Sequence, residues 1–145
     1  MIKEIVKQLD PLPPKSKLII FGGGFSGQRI ASVGRHLGTK VLCSRREKNS
    51  KGADFVFNAD KKVSNEILNG ATHVLSCIPP FLSGEDPVLN QLKTQLLNSK
   101  NLKWVGYLST TGVYGDTKGE WVNENTSPNP QQERSIRRLS CEKQW

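Results

Sequence analysis

Short apolar runs alternate with segments of helical periodicity along most of the chain. The apolar runs are bounded by Gly, Pro or polar residues and predict strands at residues 18–21, 40–43, 54–57, 72–78 and 103–108. Apolar positions at helical spacing predict helices at about 25–37, from near 64 to 70, over 86–98 and around 138–142. Strands that alternate with helices and are apolar on both faces predict an α/β fold with a doubly wound parallel sheet.

The first 16 residues precede this alternation and form a separate segment. Apolar side chains recur there at helical spacing among Lys and Glu residues, at Ile2, Ile5, Val6 and Leu9. This pattern predicts an amphipathic helix, which ends at the proline-rich spacer 10–14. We therefore divide the chain into an N-terminal helix with its spacer, residues 1–16, and one domain, residues 17–145.

A glycine-rich turn joins the first strand to the first helix. Gly22, Gly24 and Gly27 have the Gly-x-Gly-x-x-Gly spacing and directly follow an apolar run. Such a turn bends sharply at its first glycine, admits a pyrophosphate at its second and packs helix against strand at its third. Phe25 and Ser26 begin the helix, whose free N–H groups suit an anion. The sequence predicts a Rossmann-type dinucleotide site here, and a purely structural turn is the alternative.

The end of the second strand indicates which dinucleotide is bound. A site for NAD offers an acidic side chain to the ribose about 20 residues beyond the glycines, whereas this chain has Ser44, Arg45 and Arg46. A hydroxyl and two guanidinium groups suit a 2′-phosphate, because arginine forks onto phosphate oxygens and keeps its charge at any working pH. We therefore predict NADP(H) in preference to NAD(H). A solvated basic loop, continued by Lys48 and Lys51, is the alternative.

The strand order of a doubly wound sheet predicts where these residues meet. The carboxyl ends of parallel strands lie at one edge of the sheet, and ligands bind there. We expect Gly24, Arg45, Ile78 and Thr110 to line this edge.

A run after the fifth strand adds a family resemblance. Residues 109–116 read Ser-Thr-Thr-Gly-Val-Tyr-Gly-Asp and, together with the glycine turn, resemble the extended short-chain dehydrogenase/reductase family, in particular its atypical members. That family includes NAD(P)-dependent nucleotide-sugar epimerases and dehydratases. The resemblance implies an oxidoreductase or epimerase that acts on a small carbonyl compound or a sugar nucleotide. It also implies that the backbone at Ile78 and Pro79 lies alongside the ribose and nicotinamide of the cofactor. The alternative is that the proline only ends the strand.

The resemblance extends to catalytic roles, with two departures. It implies that Thr110 hydrogen-bonds the substrate carbonyl, a role for which its two hydroxyl-bearing neighbours compete. Where the family has a catalytic Tyr and Lys, this chain has Arg134 and Arg138. Arg138 keeps the charge needed to hold a ribose, but Arg134 cannot exchange a proton near neutral pH. Tyr114 is another candidate proton donor, and packing within its turn is the alternative.

Composition narrows the classes of partner. The net charge is +8, yet no basic stripe is interleaved with aromatic residues, so nucleic acid is not an expected partner. No apolar run has the length of a membrane span, and the cysteines and histidines lack metal-ligand spacing, so neither a membrane nor a metal is expected. An odd number of dispersed thiols fits a reducing, cytoplasmic location.

We expect the chain to be a truncated form of the family. The family continues with further strands and a substrate-recognising region, whereas this sequence ends at Trp145, with nothing left to cover that apolar side chain. An enzyme and a non-catalytic dinucleotide-binding module are the two competing functions. For the isolated chain we predict cofactor binding with little or no turnover. We also predict a homodimer or a partner chain that covers the open sheet edge.

Overall fold

The computed structural model describes residues 7–58 and 61–145, and the described strands form one sheet. The strands are β1 Lys17–Phe21, β2 Lys40–Arg45, β3 Phe55–Val56, β4 His73–Ser76 and β5 Trp104–Tyr107. Their order is β3-β2-β1-β4-β5, and each neighbouring pair is parallel. This is the strand order of a Rossmann-type sheet, so the predicted fold class is confirmed. The predicted N-terminal helix falls largely on residues 1–6, which lie outside the described residues.

α-Helices connect β1 to β2 and β4 to β5, as the periodicity predicts, and a third follows β5. They are α1 Phe25–His36, α2 Pro87–Leu97 and α3 Glu133–Gln144, with short 3-10 helices at Asn65–Leu68 and Thr111–Tyr114. The start of α2 is fixed by Asp86, whose Oδ1 accepts hydrogen bonds from the backbone N–H groups of Val88 and Leu89 at 2.9 Å each. None of the helices in the described ranges is long and apolar enough to cross a membrane.

Each face of the sheet has its own apolar core, because successive strand side chains point to opposite faces. The core beneath α1 contains Leu18, Ile20, Ala31, Val41, Cys43 and Leu75. The core beneath α2 contains Ile19, Phe21, Val74, Val88, Leu92 and Leu96. Helices therefore cover both faces, which makes the sheet doubly wound.

Several elements are shorter than predicted, among them β5, which spans Trp104–Tyr107 instead of 103–108. Strand β3 spans only Phe55 and Val56, although the flanking backbone N–H groups of Asp54 and Phe57 also donate to the β2 carbonyls of Cys43 and Arg45 at 2.9 Å each. Strand β4 ends at Ser76, shortly before two prolines that have no N–H to donate. The helix predicted from 64 to 70 is a 3-10 helix of four residues.

Candidate functional site

The glycine turn has the backbone geometry that its spacing predicts. Gly22 has a φ of +94°, which side chains with a Cβ rarely adopt. A Cβ placed on Gly27 would lie 2.2 Å from the carbonyl oxygen of Gly22. Only a glycine at this position lets the first turn of α1 pack directly on the end of β1.

The second glycine opens the turn to solvent. Gly24 is the residue before α1, and nothing lies within 4 Å of a Cβ built on it. No side chain in the described residues caps this helix end, and its first turn carries no acidic residue. Phe25 and Ser26 follow on the exposed surface, with Phe25 81% exposed. The free N–H groups of α1 therefore face open space, an arrangement suited to an anion.

Ser44 has a different place from the one predicted. We expected its hydroxyl to face a ribose phosphate, but the residue is 1% exposed. Its Oγ accepts a hydrogen bond from the backbone N–H of Gly22 at 2.9 Å, and its carbonyl accepts one from Gly23 at 2.6 Å. Ser44 thus connects β2 to the glycine turn through two hydrogen bonds and stabilises the turn. The type of residue gave no sign of this, because burial depends on how β2 pairs with β1.

The two arginines at the end of β2 differ in their surroundings. The guanidinium of Arg45 donates a short hydrogen bond to the carbonyl of Gly23 and is partly buried. Arg46 is exposed. Both therefore stand at the edge of the sheet beside the glycine turn, and Arg45 is in contact with it.

The end of β4 also reaches the glycine turn. The side chain of Ile78 packs so closely on Gly22 that a Cβ there would lie 2.9 Å from Ile78 Cγ1. Pro79, the next residue, is exposed. The edge of the sheet thus brings together residues that lie more than 50 positions apart in the sequence.

Arg138 on α3 joins the ends of β4 and β5. Its Nη1 donates to the carbonyl of Leu108 at 3.1 Å and, at longer range, to the carbonyl of Ile78 at 3.5 Å and the hydroxyl of Tyr107 at 3.4 Å. Its Cζ also lies 5.5 Å from the centroid of the Tyr107 ring. The guanidinium is therefore engaged by backbone carbonyls in this structure.

We expect Arg138→Met to destabilise the fold by about 1–2 kcal/mol, because two carbonyls lose a charged donor. Chemical denaturation followed by circular dichroism measures this change. Arg134→Met is the matched control, since Arg134 is exposed and donates to Gln132, the residue directly before its helix. Its effect should stay within about 0.5 kcal/mol. Equal losses in the two variants would contradict the role assigned to Arg138.

Tyr107 is a site residue that the sequence reasoning missed. Its ring stacks on Trp145 at a centroid distance of 6.2 Å, and its hydroxyl contacts Arg138. We expected the side chain of Trp145 to be uncovered, but the ring of Tyr107 covers it. Trp145 also packs against the core beneath α2. Burial raises the pKa of Tyr107 to about 12, while Arg138 opposes the rise. The position within a strand suggested packing alone, so the sequence carried no signal for this contact.

We expect the stability of the fold to depend on Tyr107 at alkaline pH. Because the raised pKa means that the folded state holds the phenol proton more tightly, this contribution is complete below pH 10 and is lost as pH rises through about 12. Denaturation at a series of pH values should show a smaller alkaline loss in Tyr107→Phe. Both proteins carry Cys141→Ser, because the Tyr107 hydroxyl also lowers the pKa of that thiol, so the difference between them isolates Tyr107. Identical profiles would contradict this expectation.

The residues after β5 form a compact turn. Thr110 precedes the 3-10 helix Thr111–Tyr114, and its Oγ1 accepts a hydrogen bond from the backbone N–H of Gly112 at 3.3 Å. Its own hydroxyl proton has no acceptor within the part of the chain that the structure describes, so it can be donated. Tyr114 is the last residue of that helix and is partly buried, which fits packing as well as proton donation. Within residues 7–58 and 61–145, no His, Cys, Asp and Glu side chains gather as a metal site.

Comparison with known proteins places this fold among solved structures. No family model matches the chain, and no curated protein matches it. A conserved protein of unknown function from Silicibacter pomeroyi is 33% identical, with a TM-score of 0.77 over 90% of this chain and 47% of that one. A provisionally assigned NAD-dependent epimerase/dehydratase from Methylobacillus flagellatus is 24% identical, with a TM-score of 0.70 over 89% and 50%.

A third solved structure is more distant in sequence. It is a short-chain dehydrogenase/reductase superfamily protein from Agrobacterium tumefaciens with bound NAD, 15% identical, with a TM-score of 0.62 over 88% of this chain and 43% of that one. The chain spans about half the length of these matched structures. It therefore has the fold of the N-terminal part of short-chain dehydrogenase/reductase structures, those of the epimerase/dehydratase type included.

Proposed function

We propose that this chain binds NADP(H) at the carboxyl edge of its sheet. The observation that carries the proposal is the glycine turn, where a Cβ on Gly27 would lie 2.2 Å from the carbonyl oxygen of Gly22 and Gly24 opens onto free space at an uncapped helix end. Packing alone explains Gly27, but neither packing nor the φ of −72° requires a glycine at Gly24, so an approaching ligand is the reason we propose for it. The bound NAD of the Agrobacterium tumefaciens structure supports a pyridine dinucleotide as the ligand class.

The residues present fit such a cofactor. The N–H groups at Gly24, Phe25 and Ser26 would hold the pyrophosphate, because the start of α1 adds the positive end of its dipole. Arg45 and Arg46 would hold the 2′-phosphate, for which a guanidinium is the preferred partner. Ile78 and Pro79 would lie alongside the nicotinamide half of the bound dinucleotide. The nicotinamide, when bound, supplies or accepts a hydride.

Three side chains determine whether the chain could catalyse a reaction in addition to binding the cofactor. Thr110 has a hydroxyl proton to donate toward a carbonyl oxygen, which would polarise a small carbonyl compound or a sugar nucleotide. Arg138 is engaged by the carbonyls of Ile78 and Leu108, and Arg134 is exposed. Neither arginine takes up or gives up a proton near neutral pH. We therefore propose, for the chain alone, a dinucleotide-binding module with little or no turnover.

A titration of NADPH with the purified chain tests the binding step. We expect a saturable rise in nicotinamide fluorescence, with NADPH bound at least about tenfold more tightly than NADH. Calorimetry that detects no heat with either nucleotide, on material with the circular dichroism of an α/β fold, would refute the proposal.

The second candidate function is an oxidoreductase or epimerase of the extended short-chain dehydrogenase/reductase type. The exposed hydroxyl of Thr110, at the end of β5, is the observation that favours it. A screen of carbonyl compounds and sugar nucleotides for NADPH oxidation distinguishes the two functions. Turnover that Thr110→Ala abolishes and Thr126→Ala leaves intact would establish the enzyme and refute the module.

A further inference from the structure

An apolar groove lies on the face of the sheet opposite α2, away from the glycine turn. Its volume is about 570 Å³, and it lies between α1, the strands β1, β4 and β5, and the N-terminal residues 9–12. Its apolar lining includes Leu12, Ile30, Val33, Leu37, Leu75 and Trp104. Trp104 is 48% exposed although it lies within a strand of a parallel sheet. Such strands are ordinarily covered on both faces, so the groove is a surface that lacks its cover among the described residues.

The layers of the fold indicate what kind of element fits the groove. On this face α1 covers β1 and β2, while α2 and α3 both contact the opposite face. A doubly wound sheet covers each face with helices that lie side by side. The position next to α1, above β4 and β5, therefore suits a helix that presents an apolar face to Leu75 and Trp104.

Charge indicates the chemistry of that helix. Arg29 lines the groove, and the exposed Lys103 directly precedes Trp104, while Asp10 is the acidic residue among the lining. The whole chain carries a net charge of +8. We propose that the groove binds an amphipathic helix of a partner protein whose apolar face is flanked by Glu or Asp residues. A second copy of this chain would bring a further +8 to the same surface, which disfavours self-association through it.

Binding of synthetic helices tests the proposal without any cofactor. The probe is a dye-labelled amphipathic peptide of about 18 residues with Leu and Ala on one face and Glu on its borders. The control peptide has Lys in place of each Glu. Fluorescence anisotropy should show that the chain binds the Glu peptide at least about tenfold more tightly than the Lys peptide.

Variants of the chain locate the contact. Trp104→Ala should weaken binding of the Glu peptide at least about tenfold, because an aromatic anchor in a groove carries much of the binding energy. Trp121→Ala is the matched control, since Trp121 is 99% exposed and does not line the groove. Arg29→Glu, a change at an exposed position, should reduce or reverse the preference for the Glu peptide.

Four results would overturn the proposal. One is equal affinity for the two peptides, and another is binding that Trp104→Ala and Trp121→Ala weaken alike. A dimer in sedimentation velocity that Trp104→Ala dissociates would assign the groove to a second copy. Peptide binding that appears only after removal of residues 1–6 would assign it to the chain's own N-terminal segment.

Discussion

A Gly27→Ala chain is expected to lose measurable NADPH binding and about 1–3 kcal/mol of stability, the usual cost of forcing a methyl group into a packed site. The new Cβ would lie 2.2 Å from the carbonyl oxygen of Gly22, a backbone atom that no rotamer change can move. The first turn of α1 must therefore shift away from β1. That shift carries the N–H groups away from the position proposed for the pyrophosphate. Nucleotide titration and chemical denaturation measure the two effects.

Gly24→Ala separates the two effects. No atom lies within 4 Å of a Cβ at this position, and the backbone φ is −72°, so alanine is accommodated without strain. We expect stability to fall by less than about 1 kcal/mol, while NADPH affinity falls because the methyl group occupies the approach to the helix end. If Gly24→Ala bound NADPH as the unchanged chain does, the pyrophosphate would not lie where we propose.

Replacing both Arg45 and Arg46 by alanine should weaken NADPH binding by about 10- to 100-fold, as expected for loss of charge-assisted hydrogen bonds to a phosphate. NADH lacks the 2′-phosphate, so its affinity should change by less than about threefold. Calorimetric titration of each nucleotide measures the ratio. Lys48→Ala combined with Lys51→Ala removes the same charge from the same loop and is the matched control. We expect that control to change the ratio of the two affinities by less than about threefold.

A parallel loss of affinity for NADPH and NADH would point to another role for the arginines. Arg45 donates to the carbonyl of Gly23, so its removal could loosen the glycine turn and lower the affinity for both nucleotides equally. Comparing Arg45→Ala with Arg46→Ala distinguishes these roles, since Arg46 is exposed. If both residues bind the 2′-phosphate, each single variant must lower the affinity for NADPH more than the affinity for NADH.

The fold could be predicted because its signals are local. Val, Ile and Leu runs mark the strands, Asp86 and Pro87 mark the start of α2, and the spacing of the glycines marks the entry to α1. Each signal acts within a few residues, and the parallel order follows from the helical connections. The boundaries of β3 and β4 were less accurate, because they depend on which partner each backbone group finds in space.

The candidate site was predictable only in part, for the same reason. The glycine turn and the arginines after β2 carry their chemistry in residue type and spacing. The burial of Ser44, the contact of Tyr107 with Trp145 and the attachment of Arg138 to two carbonyls join residues from different elements. No pattern within a single segment encodes such contacts. The burial of Ser44 follows from the pairing of β2 with β1, and the other two contacts follow from the packing of the chain end, α3 and Trp145, across the ends of β4 and β5.

The attachment of β2 to the glycine turn has a consequence for protein engineering. Ser44 and Arg45 hold Gly22 and Gly23, so a residue that we propose for the 2′-phosphate also supports the turn that we propose for the pyrophosphate. Substitutions intended to convert the chain from one pyridine nucleotide to the other would therefore also reshape that turn. Effects at the two places should combine non-additively in a double-mutant cycle. A successful conversion must begin at Arg46, which stands outside this network.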